Sequence, residues 1–238
     1  MSFLSRLPEV TKNLLIVNCL VFFATFALEF SNSGVYLNEW LGLHYWKGAD
    51  FHVYQFFTYQ YAHADLQHLF FNMFSLYMLG QLVEMSMGAK HYFIFYTIAG
   101  VGAGLCQELA WMWELRGFET DFIQALNSGV PVGADYSIDD MYKMRQDFYN
   151  RFITVGASGS VFGLLAAIAM LFPNLPMYFM FIPVPVKAKY MMVGFALIEL
   201  FCGVKGFSGD SVAHFAHLGG ALFGVVLILL WKKDIRRS

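Results

Sequence analysis

Apolar runs of about 20 residues, nearly free of charge, recur along this chain and limit its possible folds more than any other feature. In lipid, each backbone N–H and C=O of such a run must be paired within its own segment, so each run has to be a helix. Runs of this kind lie near residues 13–30, 66–85, 91–113, 188–203 and 211–231. Another opens at about Ala157 and stops at the Pro173-Asn174-Leu175-Pro176 break. Residues 177–186 are apolar too, but Pro183 and Pro185 bar a continuous helix there. Only 13% of the 238 residues are charged and 58% are hydrophobic, against roughly 25% charged in a soluble domain. The expected fold is an all-α polytopic membrane protein, a bundle of six transmembrane helices.

Basic residues set the expected orientation, because they collect on the cytoplasmic side of short loops. With both termini inside, the inner segments hold Arg6, Lys12, Lys90, Lys187, Lys189, Lys232, Lys233, Arg236 and Arg237. The outer ones hold Lys47, Arg116, Lys143, Arg145, Arg151 and Lys205, the smaller share. The chain then divides into a cytoplasmic segment 1–12, a six-span domain 13–231 and a basic cytoplasmic tail 232–238. The first run shows no clear cleavage site and is taken as a retained span. Net charge is −2 and no basic patch carries interleaved aromatics, so nucleic acid is not an expected partner. Cys19, Cys106 and Cys202 each sit in an apolar stretch and read as packing.

Two loops stand apart. The first, 31–64, holds Trp40, His44, Tyr45, Trp46 and Phe51, residues suited to a membrane interface. The second, 114–151, is an extracytoplasmic insertion. Its Ser137-Ile138-Asp139-Asp140 predicts a capped helix start, and Met141, Met144, Phe148 and Phe152 recur at helical spacing as one apolar face. That helix is expected to lie on the membrane surface or on the bundle.

Polar side chains inside apolar spans are costly and face a bundle interior or a wet cavity. Gly156-Ala157-Ser158-Gly159-Ser160 opens the fourth run. The glycines let other backbones approach and keep the hydroxyl uncrowded. A helix N-terminus adds unpaired N–H groups and the positive end of the dipole, as an oxyanion site needs. The same pentapeptide suits a Ser/Gly helix-packing face, and its residues alone leave both readings open. In the second run His68 and Asn72, at i and i+4, share one face. In the last, His214 and His217 lie at i and i+3. Gly159 with Gly163, and Gly220 with Gly224, form two G-x-x-x-G patterns that permit the fourth and sixth helices to cross closely.

All three helices start on the outer side, with His217 roughly 9 Å deep at 1.5 Å per residue. Ser158, His217, His68 and Asn72 therefore converge on one layer. A serine hydroxyl is a poor nucleophile until a base takes its proton. His217 is the natural base, while His68, Asn72 and the Ser158 amide can donate to a developing oxyanion. No carboxylate in the fourth or sixth run is placed to orient His217, so the expected unit is a dyad. His63 reads as an interfacial anchor and His214 as shaping the cavity. Gln107, Glu108 and Glu199 read as packing or loop anchors, and Glu84 as structural.

With these residues in hand, the chain resembles the rhomboid family of intramembrane serine proteases. The G-x-S-G motif appears as Gly156-Ala157-Ser158-Gly159, and H-x-x-x-N as His68 to Asn72, with His63 five residues before it. The last-span A-H-x-G-G appears as Ala216-His217-Leu218-Gly219-Gly220, followed by Gly224, and Gly80, Glu84 and Gly88 recur at fours. The resemblance implies Ser158 as nucleophile, His217 as general base, and His68, Asn72 and the Ser158 amide as oxyanion donors. It implies cleavage of single-span membrane proteins at or near the outer end of their transmembrane helix, without metal or cofactor. Tyr54-Gln55 stands where the family often has Trp-Arg, and Phe162 where some members stack a tyrosine on the base. A phenyl ring can still pack on imidazole.

Three other readings compete with this one. His63, His68, His214 and His217 could bind zinc, but no H-E-x-x-H is present and the serine would go unexplained. A silent relative that binds or escorts membrane proteins would typically lack the serine or the histidine. A transporter would show an inverted repeat, and none is evident. A compact six-span core suggests a prokaryotic plasma membrane.

Overall fold

The computed structural model describes residues 7–128, 137–178, 183–206 and 212–235. Parts of the expected N-terminal segment, insertion, Pro-rich stretch and basic tail, and the expected start of the last span at Ser211, lie outside these residues. The described residues are mostly helical. In chain order it has α1 (Glu9–Phe30), α2 (Leu37–Leu41), β1 (Leu43–His44), α3 (Gln55–Thr58), a 3-10 turn (Tyr59–Tyr61) and α4 (Leu66–Glu114). Then come α5 (Arg116–Ser128), α6 (Ile138–Tyr149), β2 (Ile153–Thr154), α7 (Ser158–Leu171), β3 (Pro176–Tyr178), β4 (Pro185–Lys187), α8 (Ala188–Lys205) and α9 (His214–Ile235).

Among the described residues, three helices are long and apolar enough to cross a membrane: α1, α4 and the stretch His214–Trp231 of α9. The 49 residues of α4 would measure roughly 74 Å if straight, far beyond a hydrocarbon core of about 30 Å. The helix does not run straight. Gly88 has φ 78° and ψ 157°, outside the helical region, and splits α4 into two limbs. The Tyr92 hydroxyl lies only 2.5 Å from where a Cβ on Gly80 would stand. Along one straight helix those positions would be about 18 Å apart, so the second limb doubles back on the first.

The turn end of this hairpin is tied to α1 by Glu84. Its carboxylate accepts hydrogen bonds from the amides of Val10 and Thr11 and from the Thr11 hydroxyl at 2.7–2.9 Å. These first-turn amides have no intrahelical acceptor, so a carboxylate from another helix serves as the cap of α1. Tyr92, Phe95, Tyr96 and Ala99 of the second limb, with Leu164, Ala167 and Ile168 of α7 and Ile228 of α9, form the core. The outward faces are as apolar as the core: Leu20, Phe23 and Phe26 on α1 and Leu197, Ile198 and Phe201 on α8 are all more than half exposed. An apolar girdle of this extent is a surface for lipid, not water.

The chain between α1 and α4 is folded onto the end of the bundle where α7 begins. β1 pairs antiparallel with β2, Leu43 opposite Thr154 and His44 opposite Ile153, which fixes where the backbone leading into α7 runs. At the other end, β3 and β4 form a hairpin whose described residues replace a helix around Pro183 and Pro185. In the insertion, α6 begins with the expected capping box between Ser137 and Asp140. Of its expected inner face, Phe148, with Phe152 just beyond the helix, packs against the buried cluster of Tyr45, Trp111 and Tyr149, but Met144 is 56% exposed and Tyr149 is the buried residue. Arg145 takes the place of Met144, its guanidinium over the rings of Phe122, Tyr142 and Tyr149 and near Glu119. A cation stacked on aromatic faces covers them as an apolar side chain would, which a pattern of apolar letters does not register.

Candidate functional site

The backbone into α7 passes through Gly156 at φ +126°, a conformation only glycine adopts easily. Its N–H donates to the Tyr59 carbonyl at 2.9 Å. A Cβ there would also press on the His68 ring, 2.7 Å from Nε2, in a spot 3.7 Å from Ser158 Oγ. The missing side chain at Gly156 thus lets the His68 ring come close, with Ser158 Oγ bordering the same spot. Ser158 is the first residue of α7, so its N–H has no carbonyl within the helix.

α9 lies against α7 through the paired glycines. A Cβ on Gly220 would overlap the Gly159 carbonyl, and one on Gly224 would sit 2.7 Å from that of Gly163. This close approach brings His217 Nε2 to 2.8 Å from Ser158 Oγ. Phe162, one turn after Ser158, stacks flat on the His217 imidazole with centroids 4.4 Å apart and planes 7° apart. Phe195 of α8 meets Phe162 edge-on. Ser160 is turned away from the site and buried, its hydroxyl shared between Gln60 Oε1 and the Tyr96 carbonyl, both at 2.9 Å.

On the first limb of α4, Asp65 caps the helix by accepting from the His68 amide at 2.7 Å. His68 Nδ1 accepts from the Ala64 amide at 3.3 Å, so in the neutral ring the proton is assigned to Nε2, on the side of Gly156. Asn72 is buried, and its amide donates to the His68 carbonyl at 3.0 Å. It makes no bond to Ser158 or His217, and one of its two N–H donors is left for another oxygen. His63 is buried with its ring edge-on to His68, 5.1 Å between centroids.

Glu199 was not among the expected site residues, yet it stands against both histidines of α9. Its Oε2 is 2.5 Å from His214 Nδ1 and its Oε1 3.0 Å from His217 Nδ1. The expectation of a base without a carboxylate partner rested on the helices that carry Ser158 and His217. The carboxylate comes from α8, and no spacing pattern links it to them. Glu108, likewise buried, accepts from the Trp46 amide at 3.0 Å and so anchors the first loop. A cavity of about 440 Å³ opens beside His214, between Trp111, Phe152 and Phe215, and its lining includes neither Ser158 nor His217. Among the described residues, no group of three His, Cys, Asp or Glu side chains is arranged to hold a metal.

A helical bundle with an outward apolar girdle and an interior serine–histidine pair defines a class of membrane protein with polar chemistry inside it. The Rhomboid domain model matches residues 50–118 and 121–233. The chain belongs to the rhomboid family, and family and apolar helices together make it an integral membrane protein. It is similar to rhomboid-like protein 11, chloroplastic, of Arabidopsis thaliana, at 30% identity over 188 residues, 76% of this chain and 53% of that protein. The chain spans about half the length of that curated relative.

Proposed function

We propose that this protein is an intramembrane serine endopeptidase that cuts single-span membrane proteins at or near the outer end of their transmembrane helix. The observation that carries the reading is the 2.8 Å contact between Ser158 Oγ and His217 Nε2, made at a helix N-terminus. In the proposed reaction the Ser158 proton passes to His217 Nε2 while Oγ bonds the substrate carbonyl carbon. The carbonyl oxygen becomes an oxyanion in the space beside Gly156, with the Ser158 N–H, His68 Nε2–H and the spare Asn72 N–H as donors. His217 then returns the proton to the departing amine as the C–N bond breaks, and water repeats the sequence on the acyl-enzyme.

The geometry around this pair supports the reading in three ways. Gly156 lets His68 stand close to Ser158, Gly159 and Gly220 let α4 and α9 approach α7, and Phe162 covers one face of the base. The two limbs of α4 with α1, α7, α8 and α9 would make six spans, with both termini inside. No part of this mechanism uses a cofactor or nucleic acid; lipid and a helical substrate are its partners. The name of the Arabidopsis relative places that protein in the chloroplast, which gives no support to a prokaryotic plasma membrane here.

The test is a fluorophosphonate reaction with the purified protein in detergent and in lipid, read by intact mass and peptide mapping. The expected result is one adduct, on Ser158, absent in Ser158→Ala and His217→Ala. A folded, monodisperse protein that forms no adduct in either medium would instead be a catalytically silent binder of membrane proteins.

A further inference from the structure

We propose that Glu199 is a positioning residue for His217, so that the site works as a serine–histidine–glutamate relay whose acid is supplied by α8. The inference rests on the protease reading above. Glu199 and Ala188 are the buried residues of α8, while Val193, Leu197, Ile198 and Phe201 around Glu199 face outward. A carboxylate buried on such a helix is costly unless its oxygens find donors, and removing one partner of a buried pair is costlier still. Here each oxygen has one imidazole: His214 Nδ1 on Oε2 and His217 Nδ1 on Oε1.

An ionised carboxylate is acceptor-only, so an imidazole nitrogen that faces it carries the proton. For His217 this puts hydrogen on Nδ1 and leaves Nε2 as a bare lone pair, 2.8 Å from Ser158 Oγ. That is the tautomer a general base needs. His217 Nδ1 is buried with no aligned hydrogen bond, and Glu199 Oε1 stands 3.0 Å from it. The ring N–H points off the line to that oxygen, so the contact acts through charge and proximity more than through an aligned hydrogen bond. When the Ser158 proton reaches Nε2, the imidazolium keeps its Nδ1 proton and faces the carboxylate; no proton passes to Glu199. His214, on the other oxygen, holds the carboxylate in place.

The experiment compares fluorophosphonate rate constants for wild type, Glu199→Gln and Glu199→Asp, alongside nitrogen-15 histidine spectra of unlabelled-serine protein. His217→Gln assigns the His217 resonances. The Gln variant must turn an NH₂ toward one histidine and an oxygen toward the other, so it disturbs the tautomer without changing size. Expected are a loss of about 100-fold or more in Glu199→Gln, recovery to within about tenfold of wild type in Glu199→Asp, and a wild-type His217 protonated at Nδ1 and bare at Nε2. Labelling of a folded Glu199→Gln within about threefold of wild type would overturn the proposal. So would a wild-type His217 protonated at Nε2, a result that stands even where the variants fail to fold. Wild type that takes no label at all sinks the protease reading instead, while the spectra still report whether Glu199 sets the tautomer.

Discussion

At the scale of single residues, the site depends on side chains that hold others still. Phe162 touches no reacting atom in the proposed reaction, yet its ring covers one face of His217. Aromatic pairs of this kind contribute about 0.5–1.5 kcal/mol beyond their buried area. Phe162→Ala is therefore expected to slow fluorophosphonate labelling of Ser158 by about 2- to 10-fold, with Phe162→Tyr near wild type. Equal rates in Phe162→Ala and wild type would show that the stack does not hold the base. The residue was legible in the sequence because its place is one turn from Ser158 on the same helix. Glu199 was not, since it is 41 positions from Ser158 on a helix with no polar pattern to flag it. Its partners became visible only when α8 was set beside α9.

At the scale of elements, one carboxylate is among the groups that hold the insertion to the first loop. Glu119 of α5 accepts from Lys47 at 2.8 Å and from the Tyr149 hydroxyl, with Arg145 at 3.9 Å. Burial pushes its carboxyl upward, but the hydrogen bonds from Lys47 and Tyr149 and the charges of Lys47 and Arg145 outweigh it. Its pKa is held below the usual glutamate value. A depressed carboxylate pKa adds stability that is complete above the unfolded value of about 4.3 and is lost as pH falls through the folded one. Limited proteolysis between α5 and α6 should thus be slow at neutral pH and quicken as pH drops below about 4. Glu119→Gln should be cut faster already at neutral pH. A variant cut at the wild-type rate across the range would mean that the aromatic cluster of Tyr45, Trp111 and Tyr149 alone docks the insertion. The capping box of α6 was readable from Ser137 and Asp140, a local pattern; its docked face was not, because Arg145 covers aromatic rings that come from α5 and α6 together.

At the scale of the whole molecule, the six-span reading makes a prediction about sides. In a background with Cys19, Cys106 and Cys202 replaced, a cysteine at Lys143 should react with an impermeant maleimide on intact cells or vesicles of native orientation. One at Lys90, in the turn of α4, should react only after permeabilisation. Both reacting from the same side would rule out the proposed arrangement of the two limbs. The runs of apolar residues determined by themselves that the chain is helical and lives in lipid, because unpaired backbone groups have no partner there. The glycine spacings likewise announced that α7 and α9 could come close, since small residues at every fourth position clear one face whatever stands opposite. What the tertiary structure alone decided is which groups meet. It decided that α4 turns back at Gly88, that β1 and β2 fix the path into Ser158, and that a carboxylate on α8 reaches His217. Such contacts join residues by distance in space, and periodicity within one segment carries no information about the partner it will find.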